Sequence, residues 1–324
     1  MKRILLLYLS LFLLMNLVGC RRASGAASAE AEPAVTLLFA GLDEAGENTD
    51  VLMLVSIDPA CGHLSLLQIP RDTYCRVQGR DGKLNEIYAS ARFAGKTEAE
   101  ALSLLKAEIG RIFSLQADGA IAVRSRAIAA AADALGGVTV TIPEAIEIEG
   151  RVYEKGEHTL SGAQAEAFVR YREGYLMGDL GRVDAQKLFL SGLLRRLRES
   201  SRPAQLIKML FSMKGDVVTD LSLSRALSIG LWAHARLHSL KAAFITLPGE
   251  ALLYGGHWYY IANRACIEAV LRSYFSETAV FDAARLLVDD GSPMQKSIYD
   301  AERVPYKIYT EEDISSLEIK TKKE

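Results

Sequence analysis

Apolar residues run almost unbroken through positions 35–41, 51–57 and 63–69. Runs of that length and composition predict strands buried on both faces of a sheet. Asp58-Pro59-Ala60-Cys61-Gly62 carries turn chemistry between the second and third runs, so these two are read as a hairpin. Helical spacing follows over 97–113, with Thr97 as N-cap and Glu100 three positions on, a capping-box pair. A short strand at 119–123 and an alanine-rich helix at 125–135 come next. Gly136-Gly137 stops that helix and opens a strand at 138–142. Further on, 203–213 and 222–237 read as helices, 242–247 and 252–261 as strands, and 267–275 as a last helix. From about position 289 the chain turns polar and ends in Lys320-Thr321-Lys322-Lys323-Glu324, read as a solvated tail. There is no internal repeat. Strands and helices alternate without strict order, which predicts an α/β fold: a single mixed-sheet domain with covering helices.

Between these halves, positions 161–198 form two helical patterns around a polar turn. Ser161 is the N-cap of the first, over 161–168. Val183, Leu188, Phe189, Leu193, Leu194 and Leu197 mark the second, whose start falls at Gly178-Asp179 with Asp179 as the expected N-cap. Asp179, Arg182 and Gln186 are spaced i, i+3, i+7 and share one face of that helix. A helix N-terminus favours anions through its free N–H groups and dipole, and guanidinium forks suit phosphate oxygens better than ammonium groups do. Arg170 and Arg172 lie about half a helical turn apart. Both reach one ligand only if the chain leaves helical geometry near Tyr171. The same spacing also fits a solvated helical hairpin with ordinary surface ion pairs.

More polar groups stand at strand ends, where open α/β sheets bind ligands. Gly41-Leu42-Asp43 ends the first strand, Asn48-Thr49-Asp50 precedes the second, and Ile69-Pro70-Arg71-Asp72-Thr73 ends the third. Taken singly, such an aspartate is a turn residue. Asp43 and Asp50, however, flank one short loop, and paired carboxylates beside bound phosphates are a usual way to hold Mg2+. With Arg71 and the arginine turn they describe a site for a magnesium-bound diphosphate.

The chain has 324 residues, half of them hydrophobic, with 38 Lys+Arg against 40 Asp+Glu. That length supports a full core, and the charge balance gives no footprint for nucleic acid. The N-terminus changes the picture more. Met1-Lys2-Arg3 is followed by an apolar stretch at 4–18, then Leu17-Val18-Gly19-Cys20 and a small, polar run. This is the layout of an export signal, shorter than the roughly 20 residues of a spanning helix. It resembles a bacterial lipobox with Cys20 as the lipidated residue; an uncleaved signal anchor is the alternative. Cys61, Cys75 and Cys266 are odd in number, which argues against a disulfide framework, and they are read as small apolar core residues. No CxxC pair or HExxH suggests a zinc site.

Several motifs together resemble the LytR–CpsA–Psr family. These are Gly41-Leu42-Asp43, the run from Thr49-Asp50 to Asp58-Pro59, Ile69-Pro70-Arg71-Asp72-Thr73 and Lys83-Leu84-Asn85-Glu86-Ile87-Tyr88-Ala89. Gly136-Gly137-Val138, Leu160-Ser161-Gly162, Arg170-Tyr171-Arg172, Gly178-Asp179-Leu180-Gly181-Arg182 and Gln186 continue them. The resemblance implies a transferase at the outer face of the bacterial cytoplasmic membrane, lipid-anchored through Cys20. It would take an anionic glycopolymer from a polyprenyl-diphosphate carrier and join it to peptidoglycan through a phosphodiester. Asp43 and Asp50 would hold magnesium. Arg71, Arg170, Arg172, Arg182 and Gln186 would grip the diphosphate, and Asp179 would orient arginines or assist proton transfer. The polyprenyl tail needs a long apolar cavity, for which helices at 101–113 and 121–135 are the expected walls. The implied organisation is a leader at 1–20, a tether at 21–34, a catalytic domain at 35–288 and a polar tail at 289–324. Ala45, Asn48 and Ala185 stand where family members usually carry arginine, so fewer cations face the phosphates. That departure keeps two alternatives open: a lipoprotein that binds prenyl-linked glycans without turnover, and a diphosphate hydrolase with water as acceptor.

Overall fold

The computed structural model describes residues 32–77, 80–200, 203–276, 286 and 293–322. The leader, Cys20 and most of the tether lie outside the described residues. Three apolar runs become the centre of the sheet: β1 (Val35–Leu42), β2 (Thr49–Asp58) and β3 (His63–Ile69). They pair antiparallel in chain order, and the β2–β3 connection is the expected hairpin. Their side chains alternate between two cores. Leu38, Leu52, Leu54 and Leu67 enter one, while Met53, Val55, Ile57 and Leu66 enter the other. Both faces are covered, so no polar alternation appears in the sequence.

A hairpin of β4 (Tyr74–Val77) and β5 (Arg80–Lys83) follows, then α1 (Asn85–Phe93) and α2 (Glu98–Phe113). Thr97 and Glu100 close the predicted capping box on α2. The inward residues of α2, among them Leu102, Leu105, Ile112 and Phe113, are completely buried against the sheet. Each such side chain contributes roughly 1.5–3 kcal/mol. This face of α2 is packed core. A cleft of about 570 Å³ lies elsewhere, against the C-terminal half of the helix at 179–199, with polar walls that include Ser191, Arg195 and Glu311.

Next come β6 (Gly119–Arg124), α3 (Ser125–Ala134) and β7 (Val138–Ile142). The hairpin of β8 (Ile146–Ile148) and β9 (Arg151–Tyr153) precedes β10 (Gly156–Leu160), which pairs with β7. The two helices around the arginine turn are α4 (Gly162–Arg170) and α5 (Asp179–Glu199). After them stand α6 (Pro203–Ser212), β11 (Val217–Thr219), α7 (Leu223–Arg236) and β12 (Lys241–Thr246). The expected strand at 252–261 is instead a hairpin of β13 (Gly249–Tyr254) and β14 (His257–Ala262), reversed at Gly255-Gly256, both with positive φ. The last elements are α8 (Arg264–Tyr274), α9 (Pro293–Tyr299) and β15 (Ile308–Thr310).

The central sheet has seven strands in the order β11-β6-β1-β2-β3-β12-β15. β6 lies parallel to β1 and β12 parallel to β3, while β11 and β15 close the edges antiparallel. Mixed sheet and covering helices agree with the predicted class. The C-terminal stretch does not behave as a solvated tail. β15 is an edge strand, and Val304, Ile314, Leu317 and Ile319 are buried. Alternation of a few apolar residues among charged ones was enough to anchor it. Cys75 and Cys266 are buried as expected, but Cys61 is exposed in the β2–β3 turn.

Candidate functional site

The site forms where β1 ends, β2 begins and β3 ends, at one end of the central strands. Gly41 pairs with Val51 but Leu42 pairs with Thr49, so Asp50 is the extra residue of a β-bulge. A bulge re-aims a side chain and frees its backbone from the ladder. Here both consequences are used. Asp50 Oδ1 accepts a 2.6 Å hydrogen bond from Arg71 Nη1, and the Asp50 carbonyl accepts one of 3.2 Å from Arg182 Nη2. Arg71 leaves β3 through a tight turn in which the Thr73 N–H and hydroxyl both donate to the Pro70 carbonyl.

The other half of the site comes from α4, α5 and the turn between them. Helix α4 ends at Arg170 and the backbone is extended at Tyr171, so the chain leaves helical geometry where two converging arginines require it. The N-cap of α5 is Gly178, at φ 53°, and not Asp179. A positive φ is easy for glycine. Asp179 is thereby released from capping. Its Oδ1 lies 2.7 Å from Arg182 Nη2 and 3.5 Å from Arg71 Nη2, between two guanidinium groups.

The electrostatics of the two arginines differ. Burial pushes the Arg71 pKa down, but Asp179, Asp50 and Asp72 outweigh it and the net shift is upward. For Arg182 burial wins: with Arg71 and Arg172 adding like-charge repulsion, its pKa falls despite Asp179 and Asp50. Arg182 is only 6% exposed. It is a largely desolvated cation, paired with Asp179 and the Asp50 carbonyl. Arg71 Nε and Arg182 Nε are buried with no hydrogen-bond acceptor among the described residues.

Gln186 sits deeper. Its Nε2 donates to the Val169 carbonyl at 3.1 Å, and its Oε1 accepts from Gln68 Nε2 at 3.3 Å. Both ends of the amide therefore join α5 to α4 and β3. Arg170 is 56% exposed, with Glu44 at 3.4 Å and Glu166 at 3.5 Å. Arg172 is exposed, near enough to Arg182 to repel it. The structure thus brings together Asp50, Arg71, Asp179 and Arg182, places Gln186 behind them, and leaves Arg170 and Arg172 at the rim. Of the three positions where arginine was expected, Ala45 and Asn48 are exposed, while Ala185 is fully buried in the second core.

Asp43 accepts from the Glu47 N–H at 2.8 Å and from Asn48 Nδ2 at 2.7 Å. Burial opposes its ionisation, yet the Asn48 amide and the N–H groups of Glu47, Asn48 and Gly46 outweigh it and hold the carboxyl below its ordinary 3.8. A depressed folded pKa stabilises the fold above the ordinary value, and that contribution is lost as pH falls through the depressed one. Asn48→Ala is expected to move the Asp43 titration upward; a carbon-detected NMR pH titration with no upward movement contradicts this. An ionised Asp43 and the bulged Asp50 are hard oxygen donors beside a cation cluster, which fits Mg2+. No group of three or more His, Cys, Asp or Glu among the described residues forms a metal site. Magnesium commonly relies on one or two carboxylates plus substrate phosphates.

Further residues that bear on the site come from α1: Tyr88 lies within the Lys83–Ala89 motif, whereas Arg92 falls outside every motif. Tyr88 and Arg92 donate to the Gly46 carbonyl, and Arg92 pairs with Glu47 at 2.9 Å, bracing the Asp43–Asp50 loop. The short α1 lacks a side-chain N-cap hydrogen bond, so it gave little start signal.

Known proteins match this chain in sequence and in fold. The model of the LytR_cpsA_psr family matches residues 19–275. A relative from Oceanobacillus iheyensis, named polyisoprenyl-teichoic acid–peptidoglycan teichoic acid transferase TagU, is 31% identical over 235 residues, covering 71% of this chain and 72% of that one. A protein of the same name from Bacillus subtilis is 25% identical, covering 73% and 76%. The crystal structure of gbs0355 from Streptococcus agalactiae superposes with a TM-score of 0.65 at 20% identity, covering 78% of this chain and 93% of that one.

Proposed function

The chain belongs to the LytR–CpsA–Psr family, and from that premise we propose that it moves an anionic glycopolymer from a polyprenyl-diphosphate carrier to peptidoglycan. The observation that carries the reading is the Asp179 carboxylate held between Arg71 and Arg182 at the Asp50 bulge. Phosphoryl transfer asks the protein for positioning and charge neutralisation more than for covalent chemistry. Arg71 and Arg182 bind the diphosphate oxygens, with Arg172 and Arg170 at the rim. Asp179 keeps the two guanidinium groups aimed and prevents their mutual repulsion from separating them. Gln186 fixes the end of α4 against α5. Asp43 and Asp50 would hold magnesium, which would supply charge neutralisation at the phosphates. A peptidoglycan hydroxyl attacks the glycan-side phosphorus and forms the new P–O bond as the P–O bond to prenyl phosphate breaks; prenyl phosphate departs, the hydroxyl proton passes to solvent, and a phosphodiester remains.

The protein acts at the outer face of the cytoplasmic membrane, held there through lipid on Cys20. The charged and apolar N-terminus supports this anchor. No helix of the described residues is long and apolar enough to cross a membrane. Ala45 and Asn48 in the Asp43–Asp50 loop favour a second reading, binding without turnover, because they remove cations beside the phosphates.

Incubating the purified protein with a polyprenyl-diphosphate glycan, Mg2+ and peptidoglycan oligomers tests the proposal. Glycan joined to the oligomers is the expected product. Phosphate release alone identifies a hydrolase, and binding without product identifies a carrier. In the same assay Asp50→Ala is expected to abolish magnesium-dependent turnover while the thermal transition stays cooperative. Full activity in that variant rejects the metal assignment.

A further inference from the structure

The family match ends at residue 275, yet the chain beyond it reaches the arginine turn. We propose that residues 317–322 form a strap that holds Tyr175, and through Tyr175 the turn that presents Asp179 and Arg182; only the identity of the bound ligand rests on the transferase reading. The Leu176 N–H donates to the Lys320 carbonyl at 2.8 Å, and the Lys322 N–H donates to the Gly174 carbonyl at 2.7 Å. Tyr175 and Thr321 form an antiparallel bridge between these bonds. The Thr321 N–H is itself tied to the Glu144 carboxylate at 3.2 Å. The strap is anchored independently of the turn, since Leu317 and Ile319 are buried in the second core.

Strand alternation carries the consequence inward. Ile319, Thr321 and Tyr175 line one small gap together with Ile142, Ile146 and Phe168. Tyr175 is 2% exposed and packs edge-on to Tyr171, with ring centroids 5.4 Å apart. On its other side it meets the first turn of α5. A Cβ at Gly181 would stand 2.5 Å from Tyr175 Cβ, so only glycine lets the helix rest there. Asp179 is thus four residues beyond the strapped tyrosine, and Gly181, two residues further on, packs against it.

Within the turn, the Tyr175 N–H donates to the Arg172 carbonyl at 3.2 Å and the Gly178 N–H to the Tyr175 carbonyl at 3.1 Å, both centred on the strapped tyrosine. Arg172, Glu173, Leu176 and Met177 are exposed, and Gly174 and Gly178 add backbone freedom. Tyr175 is its single deeply buried side chain. A segment with few buried contacts exchanges its amides readily, and a ligand that must order it binds more weakly. Tyr175 is therefore a positioning residue, and the strap keeps it in place before ligand arrives.

The test compares the full chain with one ending at Leu317 and with a control ending at Lys322. Amide exchange over 174–182 is expected to quicken about tenfold or more in the shorter chain, while β1–β3 keep their protection. Its affinity for a soluble prenyl diphosphate is expected to fall about tenfold, with the control unchanged. If the short chain does not fold, Lys322→Pro removes the N–H donated to Gly174 and Lys322→Ala keeps it; only the proline variant is expected to loosen Leu176. Unchanged exchange over 174–182 in both the short chain and the proline variant overturns the strap. A full chain that binds no prenyl diphosphate refutes the transferase reading instead, and the exchange data still decide the strap.

Discussion

Arg182→Ala is expected to lower turnover by roughly 10²–10³-fold, the range seen when one preorganised donor to developing charge is removed. The expectation rests on burial. An exposed ion pair is worth about 0–1 kcal/mol, because water and salt replace it. Arg182 is instead 6% exposed, touches Asp179 at 2.7 Å and the bulged Asp50 carbonyl at 3.2 Å, and has its pKa pulled down by desolvation. A bound phosphate would meet a charge that water cannot screen. The variant also leaves Asp179 with Arg71 alone at 3.5 Å. That loss should cost about 1–3 kcal/mol of stability, so activity is to be compared at equal folded fraction by steady-state assay. Arg182→Lys is expected to recover only part, since an ammonium cannot reproduce the two-pronged geometry. Turnover within threefold of wild type in Arg182→Ala would remove it from the site.

Arg71→Ala is the second large effect, and its form differs. Arg71 neutralises both Asp50 and Asp179. Its removal leaves two carboxylates facing the place where the diphosphate must sit, adding repulsion to the lost attraction. Substrate affinity should fall about ten- to a hundredfold. Because Arg71 and Arg182 share Asp179, the double variant should lose less than the sum of the two single losses. Additivity in that cycle would mean that the two arginines act separately.

Much of this arrangement could be read along the chain. Unbroken apolar runs located β1, β2 and β3, and Thr97 with Glu100 located α2, because both signals are local. The motifs mark Asp50 and Arg71 at strand ends and Asp179 and Arg182 at a helix start; Arg170 and Arg172, expected in the same cluster, stand at its rim. What stayed hidden depends on pairing across the fold. No local signal marks Asp50 as a bulge; that follows only from the register of β1 against β2. Asp179 looked like an N-cap because aspartate favours that position, but a positive-φ glycine took the cap and freed the carboxylate. Gln186 shares the right helix face, yet its amide is committed to Gln68 and Val169. The C-terminal stretch looked solvated because Lys320 and Lys322 are exposed, while Leu317 and Ile319 fill the core between polar neighbours.

The central claim is that Arg71 and Arg182, held by Asp179 and Asp50, form the diphosphate site, with Arg170 at its rim. The most direct measurement is calorimetric titration of a soluble prenyl diphosphate, with magnesium, into wild type and the Arg71→Ala, Arg182→Ala and Arg170→Ala variants. The geometry predicts losses of about ten- to a hundredfold for the first two. For Arg170, 56% exposed and paired with Glu44 and Glu166, a change of less than about fivefold is expected. Wild-type affinity in Arg182→Ala, or a larger loss in Arg170→Ala than in Arg71→Ala, would contradict the site.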